Sequence, residues 1–227
     1  MNYVISICNP RSAGLLSEIH KDLGIREATV LLGRGTAVQS MLDILGIEDN
    51  EKRIFLAVAD REATGKLIEE EKNRLFVGVP GHGIVIAIPV KSVGGGKTLA
   101  YLNNDKEFIK RAPESAVPYE LIIAIANSGY GDAVMNAARK SGARGGTVIH
   151  GKGTGAKGEQ KFYNVSIASE KEIVMIVASS SQKADIMRSV ISEAGPASDA
   201  GAIVFSLPIS EVAGFGMFSP VDDGKKD

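Results

Sequence analysis

The chain has 227 residues, 44% apolar and 23% charged, with 26 Lys and Arg against 27 Asp and Glu. That length supports one large core or two small ones, and the composition excludes a disordered or fibrous protein. The near-zero net charge of −1 excludes the broad cationic footprint of a nucleic-acid binder. The single cysteine, Cys8, excludes an intramolecular disulfide and a cysteine-built zinc site.

In chain order, "MNYVISICN" opens with a short apolar run that reads as a strand, with Cys8 as a small core residue. It lacks the basic start and length of a signal peptide, and no apolar stretch approaches the roughly 20 residues of a membrane span; the expected compartment is the cytoplasm. "RSAGLLSEIHKDLG" follows as a helix with His20 on its surface, then "TVLLGRG" as a strand, and "AVQSMLDILGIEDNEK" (37–52) reads as a short helix. "RIFLAVAD" is a strand, "REATGKLIEEEKNR" a helix, and "GIVIAIPV" a strand. A glycine run opens, and two prolines close, a linker over residues 96–118 that carries a short helix at "DKEFIKR" (105–111). The order then repeats: "YELIIAIAN" as a strand, "GYGDAVMNAARKSG" as a helix stopped at Gly142, "GGTVIHG" as a strand, a polar loop, "KEIVMIVAS" as a strand, "SQKADIMRSVISEAG" as a helix ended by Gly195, and "AGAIVFSLPI" as the last strand.

The two halves are related residue by residue. A shift of 118 places Gly24, Arg26, Thr29, Val30, Gly33, Gly35 and Thr36 on Gly142, Arg144, Thr147, Val148, Gly151, Gly153 and Thr154, seven identities in thirteen positions, and sets "VISICN" on "IIAIAN". One further residue of offset sets "RIFLAVAD" on "EIVMIVAS" and "AIPVKSVGG" on "SLPISEVAG". A collinear match of this kind reads as a tandem duplication. The expected fold class is α+β: two ferredoxin-like β-α-β-β-α-β units in tandem, antiparallel sheets with helices on one face, over residues 1–95 and 119–214, with a tail from 215 to 227.

Most motifs reduce to scaffold. "VGGGKTLA" has Lys91 where a phosphate-binding P-loop requires its first glycine. His20, His82 and His150 have no partners at metal-ligand spacing, so no metal site is expected. No serine sits in a nucleophile elbow, and no catalytic residue is assigned. The segment "GKGTGAKG" (151–158) differs because features converge there. Gly151, Gly153 and Gly155 can turn amide N–H groups inward as an anion nest, Lys152 and Lys157 add positive charge, and Thr154 adds a hydroxyl. A plain strand-joining loop would also be rich in glycine, and both readings stay open. Arg34 and Gly35 in "LGRGT" are the weaker echo of the same pattern in the first half.

"SGARGGTVIHGKGTG" and the closing "GAIVFSLPISEV" resemble the P-II family of nitrogen-regulatory signal proteins, the second half much more closely than the first. The resemblance implies a ferredoxin-like fold, a homo-oligomer with the trimer favoured, and adenine-nucleotide binding (ATP, ADP or AMP) in a cleft between units. It also implies control of a protein target such as a membrane transporter or metabolic enzyme, without enzymatic activity. It adds Thr147 as a hydroxyl contact and Gly195 to Gly201 as the opposing rim. The chain departs from the family at Ala156 and Lys157, where the family carries an Arg and a Gln, and "GPASDAGAIV" lacks the phosphate-clamping Lys. The expected function is therefore a regulatory protein binding a small anionic effector. The alternatives are an oligomeric interaction module whose ligand site has decayed and, more remotely, an enzyme acting on a small phosphorylated metabolite. Two assemblies are compatible with the duplication: three chains forming two stacked rings of three units, or the two repeats of one chain pairing with each other.

Overall fold

The structure, a computed structural model, describes residues 1–25, 28–36, 50–79, 81–90, 100–102, 117–152, 161–162, 165–166 and 170–214. Residues 37–49 of the helix expected over 37–52, the helix expected over 105–111 and the tail from 215 onward lie outside these residues. The first half runs β1 (Asn2–Cys8), α1 (Ala13–Asp22), β2 (Ala28–Gly35), β3 (Glu51–Ala59), α2 (Arg61–Arg74) and β4 (Gly83–Pro89). The second runs β5 (Tyr119–Asn127), α3 (Gly131–Lys140), β6 (Thr147–Lys152), a small hairpin of β7 (Lys161–Phe162) and β8 (Val165–Ser166), β9 (Glu170–Ser179), α4 (Lys183–Ala194), β10 (Ile203–Pro208) and β11 (Glu211–Ala213). Glu51 and Lys52, expected to close a helix, instead open β3. The polar loop of the second half contains the β7–β8 hairpin, and β11 follows the expected last strand as an addition.

Local sequence explains the elements. Asp60 caps α2 by accepting from the Ala63 amide at 2.7 Å. The helix then buries Thr64, Leu67, Ile68 and Glu71, at i, i+3, i+4 and i+7. Gly24 and Gly142, matched in the sequence shift, both adopt left-handed φ (67° and 94°) just beyond α1 and α3, where a side chain would be strained.

All strands but the small hairpin form one nine-stranded antiparallel sheet, ordered β10-β5-β9-β6-β2-β3-β1-β4-β11. Each half contributes the ferredoxin-like sequence of neighbours, and the halves join where β2 pairs with β6. Strand faces alternate. In β1, Val4 and Cys8 pack under the helices with Leu16, Ile19 and Leu67, while Ile5 and Ile7 face the other way. In β5, Ile122, Ala124 and Ala126 lie under α3 and α4, while Leu121 faces away. The helix-free faces close on each other around a shared core in which Ile5, Ile54 and Ile86 meet Leu121, Ile149, Met175 and Val177. Each such side chain removed from water stabilises the fold by about 1.5–3 kcal/mol.

The ends of the sheet return to each other. β10 pairs with β5 and β11 with β4, yet only Ile209 and Ser210 separate β10 from β11. Ile209 is fully buried in the shared core, and the Ser210 amide donates to Ala87 O at 2.8 Å. The sheet is thereby curled into a barrel with its helices outside. Within the chain the two repeats pair with each other through β2 and β6.

His20 corrects an expectation. It is buried, not on the helix surface, because Leu16, Ile19 and His20 occupy i, i+3 and i+4, the core stripe of α1. Its ring stands edge-on to Phe55 at 5.5 Å, and neither ring nitrogen has a hydrogen-bond partner. Burial lowers its pKa to about 4. Nearby in the same half, burial pushes the Glu71 carboxyl up to about 8, opposed by the Ser6 hydroxyl, which donates to Glu71 Oε1 at 2.6 Å. Burial also pushes the Cys8 thiol up to about 11, consistent with a packing role.

These two groups set a pH dependence. Glu71, raised from 4.5 to about 8, keeps in the folded state a proton that the unfolded chain has lost, so its contribution falls as pH rises through that window. His20, lowered from 6.5 to about 4, costs stability as pH falls through its window. From 4.5 to 6.5 the slopes of Glu71 and His20 oppose each other, and from 6.5 to about 8 that of Glu71 remains. Denaturant unfolding of Glu71→Gln is expected to lose the decline in stability that the unsubstituted chain shows between about pH 6.5 and 8. An unchanged decline would show that Glu71 does not cause it.

Candidate functional site

The two glycine-rich segments, 118 residues apart in sequence, meet along the seam between the halves. Gly33 pairs with Ile149, Arg34 with Val148 and Gly35 with Thr147. Gly33 permits this approach: a Cβ there would lie 2.5 Å from Ile54 Cδ1 and 3.0 Å from Val148 O. Beyond the strands, the Thr36 amide and hydroxyl both donate to Gly146 O, at 3.1 and 3.0 Å, while the Gly146 amide donates to Thr36 Oγ1 at 2.9 Å. Helix α3 is tied to the same strand at both ends. Asp132 in its first turn accepts from Arg34 at 3.2 Å, and Arg139 in its last turn donates to the Thr36 carbonyl.

Over the seam lies a groove of about 530 Å³ whose lining includes Leu32, Arg34, Arg53, Ile149 and His150. Leu32 is 68% exposed there. Both arginines already face carboxylates: Arg34 faces Asp132, and Arg53 faces Glu51 at 3.3 Å. His150 Nδ1 lies 3.4 Å from Glu172 Oε1, and Glu172 Oε2 accepts from the Gly131 amide at 2.5 Å. This buried carboxylate occupies the N-terminal end of α3, where the helix dipole favours negative charge. Gly131 leaves room for it, since a Cβ there would sit 2.7 Å from Glu172 Oε2. The arrangement offers two guanidinium groups and an imidazole beside an apolar surface, each cation balanced by a protein carboxylate.

The remaining expected site residues divide clearly. Thr147 is a buried strand residue paired with Gly35 and Met175. Gly151 lies in β6 with open space where a Cβ would point, and Lys152 is the last residue of that strand. Gly153, Thr154, Gly155 and Lys157 lie outside the described residues. Gly195 ends α4: its amide donates to Ile191 O at 3.1 Å, and a Cβ there would lie within 2.2 Å of that oxygen. Gly201 adopts φ 54° against the Asn127 amide. The rim they bound hangs from Asn127, which donates to Asp199 O at 2.8 Å and accepts from Lys171 at 2.6 Å. The first half repeats this latch: Asn9 donates to Gly81 O at 3.0 Å and accepts from Lys52 at 2.5 Å.

Sequence reasoning missed Arg53, Asp132, His150 and Glu172 as members of the groove and its surround. A signal did exist for two of them, because the 119-residue offset sets Arg53 on Glu172, a charge reversal at equivalent positions beside the seam. Asp132 gives no such sign; its contact with Arg34 spans 98 residues.

Residues 119–215 match the family model described as Nitrogen regulatory protein P-II. That match spans the second half of the chain. Among solved structures, a P-II-like match is the PII protein of Arabidopsis thaliana bound to citrate, at 22% identity and TM-score 0.33, covering 41% of this chain and 76% of that one. A microcompartment protein of Desulfitobacterium hafniense DCB matches at 12% identity and TM-score 0.25, covering 92% and 95%. A protein of unknown function from Galdieria sulphuraria matches at 11% identity and TM-score 0.27, covering 91% and 96%. Comparison with the curated proteins returns no match. Among the described residues, no helix is long and apolar enough to cross a membrane.

The close approach at the seam can be tested against an open glycine. Gly33→Ala is expected to cost about 1–3 kcal/mol by overpacking against Ile54 and Val148. Gly65→Ala, in the interior of α2 with nothing within 4 Å of its Cβ, is expected to gain about 0.5–1 kcal/mol. Equal effects in urea unfolding would contradict the tight seam.

Proposed function

We propose that the protein is a P-II-like regulator that binds a small anionic effector in the groove over the β2–β6 seam and transmits occupancy to a protein target. An adenine nucleotide is the first candidate effector, and a transporter or metabolic enzyme the candidate target. The observation carrying this reading is the meeting of the two glycine-rich segments, one from each half, beneath Arg34, Arg53 and His150. The groove sets an exposed apolar side chain, Leu32, beside two guanidinium groups and an imidazole. Its cations suit phosphate or carboxylate oxygens. The P-II match over residues 119–215 supports a signalling role over an enzymatic one.

One observation favours the second reading, an interaction module with a decayed site. Both arginines are held by protein carboxylates, as they would be in a purely structural seam. A thermal-shift panel of ATP, ADP, AMP and small di- and tricarboxylates separates the two. A ligand present at 100 times its Kd stabilises the folded state by about 2.7 kcal/mol, so at least one member is expected to raise Tm by several degrees. That shift should be lost in the Arg34→Gln, Arg53→Gln double variant. A flat panel at millimolar concentrations would favour the structural module.

A further inference from the structure

We infer that Asp132 is an internal competitor for the effector site: it engages Arg34 across the seam and so selects a phosphorylated ligand with a flat or apolar body over a simple monocarboxylate. This rests on the seam groove being the effector site. Arg34 and Asp132 come from different halves, β2 and the first turn of α3, and meet at 3.2 Å with side chains 41% and 68% exposed. An exposed pair of this kind is weak, so a better partner can displace it. A monocarboxylate offers Arg34 what Asp132 already offers, and Asp132 is tethered at high effective concentration. A phosphate group brings more charge and three acceptor oxygens, enough to engage Arg34 and, in the same groove, Arg53. Leu32, 68% exposed, lines that groove as well, and it supplies the apolar surface on which the body of the ligand would lie.

The exchange has a structural consequence. Arg34–Asp132 ties α3 to the β2 segment, as does Arg139 to the Thr36 carbonyl. A ligand that captures Arg34 releases the N-terminal end of α3 from the first half and leaves its C-terminal end anchored. Occupancy is thereby linked to how the second half's helix is held against the first.

Calorimetric titration of the full chain with pyrophosphate, ADP and acetate tests this on the unsubstituted protein, Asp132→Asn and Arg34→Gln. Removing the competitor is expected to tighten pyrophosphate and ADP binding about two- to fivefold. Removing the arginine is expected to weaken both about ten- to a hundredfold. Acetate should bind the unsubstituted chain more weakly than either. If Asp132→Asn binds no more tightly than the unsubstituted chain while Arg34→Gln loses binding, the competitor role is overturned and the effector site stands. If neither the unsubstituted chain nor Asp132→Asn binds pyrophosphate or ADP, both fall.

Discussion

The whole architecture depends on a short backbone pairing, Gly33–Gly35 of β2 against Thr147–Ile149 of β6. A ferredoxin-like unit covers one face of its sheet with helices and leaves the other bare. In this chain the bare faces are apolar and need to be buried. Joining β2 to β6 makes one sheet from two, and the return of the chain through Ile209 and Ser210 to β4 brings its ends together. Closure also protects strand edges that would otherwise invite unwanted pairing. The seam tolerates little steric change, because Gly33 faces Ile54 and Val148, and Gly146 faces Met135 and Met175 at 2.8 Å from the position of a Cβ.

Much of this was legible in the residues. The strand and helix order, the bounds of α2 and the stops at Gly142 and Gly195 follow from periodicity and helix-ending signals that act within a few residues. Two-sided burial was also written into runs such as "VISIC" and "IIAIA", in which apolar residues fall on both faces. Where the second face would be buried was not legible, since that depends on which edges pair over long separations. At His20 residue type and position conflict: a polar ring suggests the surface, whereas its spacing from Leu16 and Ile19 marks the core stripe, and position prevails. At the candidate site, Arg34 and Gly35 could be picked from local pattern, whereas Asp132, Arg53 and His150 join it only through the seam.

The two halves keep a common frame and differ in charge where they meet. The Asn9–Lys52 and Asn127–Lys171 latches recur with nearly the same geometry, 2.5 and 2.6 Å, and hold equivalent loops. Around the seam, by contrast, Arg53 stands where the second half has Glu172, and Leu32 where it has His150. The first half therefore supplies both guanidinium groups, Leu32 and the Glu51 carboxylate, and the second supplies Asp132, Glu172, His150 and the start of α3. On the proposed reading, this division is what makes the boundary able to report a ligand: capture of a cation from one half changes what the other half is tied to.

The most direct measurement is a backbone amide NMR titration of the full chain with ADP. The account expects chemical-shift changes on both sides of the seam together, at Gly33, Arg34, Arg53 and His150, with the first turn of α3 moving in the same titration. Saturating ADP that leaves those amides unmoved, or shifts only residues remote from the seam such as the exposed face of α4, would contradict it.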